Sequence, residues 1–224
     1  MQEEKIEGIV LRSMEYKERQ RIITVFSQEM GVISLIIKGL SKNNYRLLSL
    51  TTPFSRAEFI YTRGNSDLFR FIDGTMIDEH LKFREKFSFL KTAGLLTQAI
   101  VQSQLPGKPS AALYLLLRSY LKQIPSFENP DALISSFYLK LLRYEGLLSL
   151  SEQCSHCEEH PSLFLSNGES LCHVHKTPES YAFSKEEWMI LLTLAETQQF
   201  NTLRTLQIPP NLLDTVTSCF LDNF

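Results

Sequence analysis

Two short pairs of soft side chains form the part of the chain whose residue types and spacing point to chemistry. Two residues separate the members of each pair, and the four side chains are Cys154, Cys157, Cys172 and His175. Thiolates and an imidazole at this spacing are the donors that a tetrahedral zinc ion accepts. The intervening dipeptide Asn167-Gly168 is typical of a type I′ hairpin turn between two short strands. Such a hairpin would bring the pairs together, so we predict a structural Zn²⁺ site.

Other interpretations of these residues stay open at this point. The cysteines could form disulfides, but the first residues of the chain show no apolar leader segment, so we expect a cytoplasmic protein with reduced thiols. The fourth ligand could instead be one of the neighbouring histidines, which are His156, His160 and His173. Cys219 lies alone near the end of the chain and is expected to be a small buried hydrophobic residue.

A catalytic zinc is the alternative of a different class. The run His156-Cys157-Glu158 matches the His-x-Glu half of a nucleobase-deaminase signature. The Pro-Cys-x-x-Cys half of that signature does not follow, and four protein ligands leave no coordination position for a reactive water. The chain also lacks GxSxG, GxGxxG and HExxH motifs. We therefore predict that the protein is not an enzyme, with no catalytic residues and no small-molecule substrate.

The composition is that of an ordinary globular protein, with a local excess of positive charge. Of 224 residues, 43% are hydrophobic and 21% are charged, and the apolar runs are too short to cross a membrane. The net charge is −2, yet residues 12–70 carry ten Lys and Arg residues against five Asp and Glu residues. A basic surface of this kind indicates a polyanionic partner, and ordinary solvated surface charge is the alternative.

The first 75 residues predict β-structure. Runs of β-branched and aromatic residues, separated by glycines and polar clusters, indicate five strands at 6–11, 21–26, 31–37, 55–61 and 67–72. A basic loop is expected at 38–44. Five short strands in so few residues favour a small barrel, with an OB-fold as the leading candidate and an SH3-like barrel as the alternative.

From His80 onward the apolar residues recur with a helical period. Helices are predicted before Pro106, over 111–124, and after Asn129-Pro130. The run from Ser184 to Glu187 is a capping box, which predicts a helix beginning at Ser184. A last helix is expected after Pro209-Pro210.

These elements predict an α+β fold in which an N-terminal five-stranded OB-fold barrel precedes a mainly helical domain that carries a small zinc-binding hairpin module. The predicted segments are an OB-fold nucleic-acid-binding domain at 1–79, a helical domain at 80–150, the zinc-binding module at 151–178, and C-terminal helices at 179–224 that pack on the helical domain.

The basic residues of the barrel are candidate DNA ligands. In an OB-fold, the inter-strand loops and one sheet face form the groove for oligonucleotides. The candidates lie at or beside the first inter-strand turn and the loop after the third strand, and they are Arg12, Lys17, Arg19, Arg21, Lys38, Lys42 and Arg46. These cations would neutralise phosphates, and Tyr16 and Tyr45 could either stack on bases or anchor their loops.

The order of several segments resembles the RecO family of bacterial recombination mediators. These segments are EGIVLR at 7–12, RIITVF at 21–26, EMG at 29–31, IIKG at 36–39, residues 46–54, and FYLKLLRYEGL at 137–147 just before the first cysteine pair. The resemblance covers residues 5–195. It departs from the family in two places, because His175 stands where zinc-binding members commonly have a fourth cysteine, and Gly146-Leu-Leu-Ser149 replaces a Gly-Tyr-x-Pro run.

The resemblance implies a non-enzymatic mediator in the RecF pathway of DNA repair. It implies that the chain binds and anneals single-stranded DNA, binds double-stranded DNA, engages the acidic C-terminal tail of single-stranded-DNA-binding protein, and with RecR helps to load RecA. An acidic peptide ending in an apolar residue would suit an apolar groove with a basic rim. Candidate rim residues on the predicted helices are Arg118, Lys122, Lys140 and Arg143. An OB-fold RNA-binding protein and a zinc-dependent nucleic-acid enzyme remain the alternatives.

Overall fold

A computed structural model of the chain describes residues 2–41, 43–64, 66–157 and 159–224. The chain divides into two compact units, Met1–Pro125 and Ser126–Phe224. The strands are β1 (Glu3–Lys17), β2 (Gln20–Ser27), β3 (Gly31–Lys38), β4 (Arg56–Thr62), β5 (Leu68–Asp78), β6 (Phe164–Ser166), β7 (Glu169–Leu171) and β8 (Tyr181–Ala182). The helices are α1 (Tyr45–Leu50), α2 (Phe87–Ser103), α3 (Ala111–Gln123), α4 (Asp131–Tyr144), α5 (Lys185–Glu196), α6 (Phe200–Thr205) and α7 (Leu212–Leu221). Short 3₁₀ turns occupy Leu81–Glu85 and Ile124–Ser126.

The first unit contains a closed barrel with the strand order β1-β2-β3-β5-β4. Strand β1 pairs antiparallel with both β2 and β4, and a parallel pairing of β3 with β5 completes the closure. This Greek-key arrangement of five strands is an OB-fold, so the predicted barrel is confirmed.

The long first strand makes this closure possible. Residues 3–9 pair with β4 and residues 8–17 pair with β2, with a register shift between Val10 and Arg12. Such a shift bends a strand and increases its local twist. At the crossing, a Cβ atom on Gly8 would lie 2.2 Å from Cγ1 of Val25. Only glycine therefore fits at this position.

Alternating apolar residues of all five strands fill the barrel. The fully buried side chains include Val10, Ile23, Val25, Leu35, Ile37, Phe59 and Tyr61. Helix α1 packs at one end through Leu50, which is 1% exposed, and its first turn is capped by the Asn44 side chain, which accepts from Leu47 N. This helix was not predicted, since the sequence there indicates a loop.

Helices α2 and α3 belong to the same unit as the barrel. Tyr114 of α3 meets Phe26 of β2 edge to face at 5.9 Å between ring centroids. Its hydroxyl donates to Glu7 Oε1 of β1 over 2.6 Å. Burial, together with this hydrogen bond, raises the pKa of Tyr114. The hydroxyl is therefore a fixed donor that ties α3 to the barrel.

The second unit is built around α4, whose residues 132–142 are all buried. Helices α5, α6 and α7 pack against it, and Tyr138 stacks on Phe220 at 4.6 Å. The predicted capping box at Ser184 is present, and Phe183 lies 5.7 Å from Trp188 as a hydrophobic staple requires. The unit boundary falls inside the predicted helical domain at 80–150, and the division of the chain into four segments stays a prediction.

Among the described residues, none of the helices combines the length and apolar character needed to span a bilayer.

Candidate metal centre and nucleic-acid surface

The predicted metal ligands come together in the second unit. Three sulfur atoms and one imidazole nitrogen lie within 4.8 Å of one another, and they belong to Cys154, Cys157, Cys172 and His175. His175 Nδ1 lies 3.5 Å from Cys154 Sγ and 3.4 Å from Cys172 Sγ, and the sulfurs of Cys157 and Cys172 are 4.0 Å apart. Zinc bonds of about 2.3 Å to sulfur and about 2.0 Å to nitrogen place tetrahedral ligand atoms about 3.5–3.8 Å apart. The cluster could therefore hold a metal ion.

A tight hairpin brings the ligand pairs together. Asn167 and Gly168 have φ values of 49° and 77°, as the predicted type I′ turn requires, and β6 pairs with β7 on either side. A Cβ atom on Gly168 would lie 2.0 Å from the carbonyl oxygen of Leu147. Gly168 is therefore required twice, by the positive φ of the turn and by the close approach of Leu147, which follows α4.

Backbone hydrogen bonds shape the loops that carry the ligands. The amides of His175 and Lys176 both donate to the carbonyl of Cys172, over 3.2 and 3.0 Å, which closes the second pair into a turn. In the first loop, the amide of Cys154 donates to the carbonyl of His160 over 3.0 Å. Each ligand pair is therefore held in place by its own backbone.

The electrostatics favour a thiolate, the form of cysteine that binds metals, at Cys154. Burial raises the pKa of the Cys154 thiol, but three backbone N–H groups donate to its sulfur and lower that pKa to about 6. At Cys157, the backbone N–H groups of Glu159 and His160 lower the pKa, but burial and the two neighbouring thiols raise it, and the net direction is upward. By contrast, burial raises the pKa of Cys219, which lies outside the cluster, to about 12. Cys219 is thus an inert buried thiol, as expected.

The other histidines of the module lie around the cluster. His156 Nε2 is 3.0 Å from Glu169 Oε2, and its ring stacks on that of His175 at 5.4 Å. His160 Nδ1 lies 3.6 Å from Cys157 Sγ, while His173 is exposed and meets the His160 ring edge to face. Glu158, the acid–base residue of the deaminase-like alternative, lies outside the described residues.

A groove of about 680 Å³ opens at one end of the barrel. It is lined by residues 15–21 of the β1–β2 hairpin, together with Leu40, Ser41 and Leu48 from the segment after β3 and from α1. Three of the predicted DNA ligands line it: Lys17, Arg19 and Arg21. Leu40 and Ser41 lie in the loop predicted at 38–44, whereas Leu48 belongs to α1, which was not predicted.

The groove has an aromatic wall and a mixed set of charges. Tyr16 is half exposed, and Lys17 Nζ lies 5.3 Å from the centre of its ring. Arg21 is anchored, because its guanidinium donates to Thr51 Oγ1 over 3.0 Å and lies 3.5 Å from the carboxylate of Glu15. Lys17, Arg19 and the Tyr16 ring therefore face solvent, while the contacts of Arg21 hold the base of the hairpin in place.

The remaining predicted DNA ligands lie outside this lining. Lys38 is exposed and pairs across the strands with Gln20, which lines the groove. Arg46 on α1 donates to Asp73 Oδ1 and to the carbonyl of Gly74, each over 2.6 Å. Arg12 donates to Gln98 Oε1 of α2 over 2.8 Å. Lys42 lies outside the described residues.

The four predicted partner-binding residues fall into two pairs. Arg118 and Lys122 are exposed on α3 in the first unit. Lys140 and Arg143 lie on α4 in the second unit, where they donate to the carbonyls of Thr197 and Ala195 at the end of α5. Burial lowers the pKa of Lys140. The second pair thus contacts a helix C-terminus, and a partner-binding role for all four residues stays a prediction.

Comparisons with known proteins cover nearly the whole chain. A family model described as recombination protein O N terminal matches residues 1–80, and one described as recombination protein O C terminal matches residues 92–223. The DNA repair protein RecO of Chlamydia trachomatis is 28% identical over 220 residues, which are 97% of this chain and 90% of that protein. That of Chlamydia pneumoniae is 28% identical over 200 residues, covering 88% and 79% of the two chains. That of Clostridium acetobutylicum is 30% identical over 159 residues, covering 69% and 63%.

Proposed function

Because the chain belongs to the RecO family of DNA repair proteins, we propose that it is a DNA-binding recombination mediator that captures single-stranded DNA on its barrel. In this role it aligns and anneals complementary strands and, with partner proteins, promotes RecA loading. It also binds double-stranded DNA through the same cations. The mechanism is binding and alignment rather than bond cleavage, so it needs no catalytic residue. A protein acting on bacterial DNA in this way works in the cytoplasm.

The groove at the end of the barrel is the observation that carries this proposal. Lys17 and Arg19 are exposed beside the half-exposed ring of Tyr16. Single-stranded nucleic acids bind where cations follow the phosphates and aromatic rings stack on unpaired bases. The groove of about 680 Å³ lies among the inter-strand loops that OB-folds use for oligonucleotides.

A salt series of binding to a labelled single-stranded DNA oligomer tests the proposal. Each phosphate contact contributes about −0.7 to the slope of log affinity against log salt for single strands. Lys17→Glu and Lys38→Glu should each weaken binding and make that slope shallower. Lys185→Glu, the same charge change on an exposed residue of the second unit, should leave both unchanged.

An RNA oligomer of the same sequence separates the mediator from an RNA-binding protein. Equal or weaker RNA binding is expected of the mediator. A marked preference for RNA would favour the OB-fold RNA-binding alternative. Absence of DNA binding even at low salt would refute the proposal and leave the barrel as a protein-contact module.

We also propose that the cluster is a structural zinc site. Four protein ligand atoms within 4.8 Å of one another would complete a tetrahedral shell around one ion, which is the arrangement of structural rather than catalytic zinc. Zinc would supply folding free energy to the hairpin module and would leave no open coordination position. Metal analysis of protein purified without chelator should give one zinc per chain, and a value well below one would contradict this assignment.

The proposed partners include RecR and the acidic tail of single-stranded-DNA-binding protein. A groove of about 480 Å³ in the first unit is lined by residues 76–83 together with Leu121, Lys122 and Pro125. Its walls are largely apolar, and they carry the cations Lys82 and Lys122 beside the carboxylates Asp78 and Glu79. The two cations would bind the acidic residues of a peptide whose apolar end enters the groove. Lys122→Glu should weaken binding of such a labelled peptide, with Lys185→Glu as the matched control. Unchanged binding would remove Lys122 from the site.

A further inference from the structure

The first loop of the metal module contains a potential ligand beyond the four of the cluster. The sequence reads Cys154-x-x-Cys157-x-x-His160, so a second ligand-type pair, Cys157 and His160, overlaps the first. Its two-residue gap is the same as that between Cys172 and His175. Cys157 thus belongs to two metal-binding spacings at once.

The geometry brings His160 as close to a ligand sulfur as a true ligand lies. His160 Nδ1 is 3.6 Å from Cys157 Sγ, and His175 Nδ1 is 3.4 and 3.5 Å from the sulfurs of Cys172 and Cys154. Tetrahedral zinc ligands lie about 3.5–3.8 Å apart. The imidazole of His160 therefore stands next to the coordination position of Cys157.

Two contacts hold His160 beside the cluster. Its carbonyl accepts from the amide of the ligand Cys154 over 3.0 Å, which fixes its backbone to the site. The ring of His173 meets its ring edge to face at 5.4 Å between centroids. The backbone of His160 is thus anchored at one ligand, and its ring lies beside another.

Cys157 is the ligand most open to chemical attack. Cys154 and Cys172 are buried, with 1% and 0% exposure, whereas Cys157 is partly exposed. Thiols react with oxidants and alkylating agents according to their access as well as their charge. The reserve imidazole is thus placed beside the thiolate that is most easily lost.

We propose that His160 is a reserve ligand that takes the coordination position of Cys157 when this thiolate is blocked or absent. The inference rests on the proposed zinc centre. In the intact site, His160 Nδ1 donates a hydrogen bond to the Cys157 thiolate. When that thiolate is lost, the centre changes from three sulfurs and one nitrogen to two of each, and the metal is retained.

Cobalt substitution in the full-length chain tests the proposal, because charge-transfer absorption reports the number of bound thiolates. Cys157→Ser should still bind one Co²⁺, with an absorption that falls from that of three thiolates to that of two. His160→Ala added to this variant should lower the affinity by a further factor of about 100 or more, at or beyond the upper end of the range for loss of an outer-shell partner. The same His160→Ala change in the otherwise wild-type chain should lower the Co²⁺ affinity by a smaller factor. Cys172→Ser, with no such reserve imidazole beside its buried sulfur, should bind Co²⁺ more weakly than Cys157→Ser.

Alkylation of the folded chain avoids any effect of the substitutions on folding. Iodoacetamide should modify the partly exposed Cys157 first, and native mass spectrometry then counts the metal. The alkylated wild type should keep its ion, and the alkylated His160→Ala chain should lose it. His173→Ala is the control, and it should retain the ion.

Two results would overturn the inference, and they have different meanings. If His160→Ala lowered the Co²⁺ affinity by the same factor with and without Cys157, the histidine would be only an outer-shell partner. The proposed zinc centre would still stand. A wild-type chain that binds no metal would remove the zinc centre and the reserve ligand together.

Discussion

Removal of the metal is expected to unfold the module at 151–178 while the helices around α4 stay folded. The module has a very small core, in which Leu171 and two of the cysteine ligands form the buried cluster and Phe164 packs against it. Leu165 and Leu171 are its well-buried aliphatic side chains, and together they contribute about 3–6 kcal/mol. Structural zinc contributes about 10–16 kcal/mol in comparable modules, which is more than the apolar burial. On the proposed zinc assignment, the metal would therefore be the dominant stabilising contribution to the module.

Trp188 provides the assay, because it is the single tryptophan of the chain and is 2% exposed. Its indole N–H donates to the carbonyl of Ser151 over 3.0 Å, at the start of the module. A strong chelator should shift its fluorescence to longer wavelength and accelerate amide exchange in β6 and β7. Exchange in α4 should remain slow.

Two cysteine variants separate metal loss from a general packing defect. Cys172→Ser should reproduce the effect of the chelator. Cys219→Ser buries a hydroxyl in α7 outside the cluster, so it should cost about 1–3 kcal/mol and keep the metal. If the chelated chain kept its Trp188 emission and the slow exchange of β6 and β7, the metal would not hold the module together.

Three further substitutions test the local arguments by urea unfolding. Tyr114→Phe removes a buried hydrogen bond to the Glu7 carboxylate, so it should cost about 1.5–3 kcal/mol. Gly168→Ala should destabilise by more than about 1 kcal/mol, because it strains a positive φ and drives a Cβ atom against the Leu147 carbonyl. Ser184→Ala removes the helix cap of α5 and should cost about 1 kcal/mol.

Each of these substitutions has a matched control. Tyr138 is 4% exposed, and the described residues show no hydrogen-bond partner for its hydroxyl, so Tyr138→Phe should cost less than Tyr114→Phe. Gly107 also has a positive φ, of 71°, but a Cβ atom added there would have no heavy atom within 4 Å. Gly107→Ala should therefore add backbone strain without a clash. Equal losses at Gly107 and Gly168 would show that the close approach to Leu147 is unimportant. Ser110→Ala, at the N-cap of α3 where the serine side chain makes no capping hydrogen bond, should cost less than Ser184→Ala if capping is the cause.

Local chemistry explains what could be predicted from the sequence. The ligand pairs and the Asn167-Gly168 turn lie within a short stretch, so their spacing alone predicted a hairpin that gathers the four ligand atoms. The capping box at Ser184 is equally local. Alternation of apolar residues located all five barrel strands, because each strand has one face in the core.

Features that depend on distant parts of the chain could not be predicted. Helix α1 is short and buries a single side chain, Leu50, so its sequence differs little from that of a loop. Strands β1 and β5 run past the predicted ends, because register shifts carry the pairing through polar residues. Lys140 was predicted to lie at an exposed rim, yet it is buried, since the end of α5 supplies a carbonyl that no local pattern reveals.

Photo-cross-linking of single-stranded DNA to the full-length chain tests the central claim most directly. An oligomer carrying a photoreactive pyrimidine is bound at low salt and irradiated, and the cross-linked peptide is identified by mass spectrometry. The account predicts a cross-link within residues 15–21, at Tyr16 or beside it, and its loss in Tyr16→Ala. Cross-links confined to residues 126–224 would contradict the claim that the barrel captures the strand.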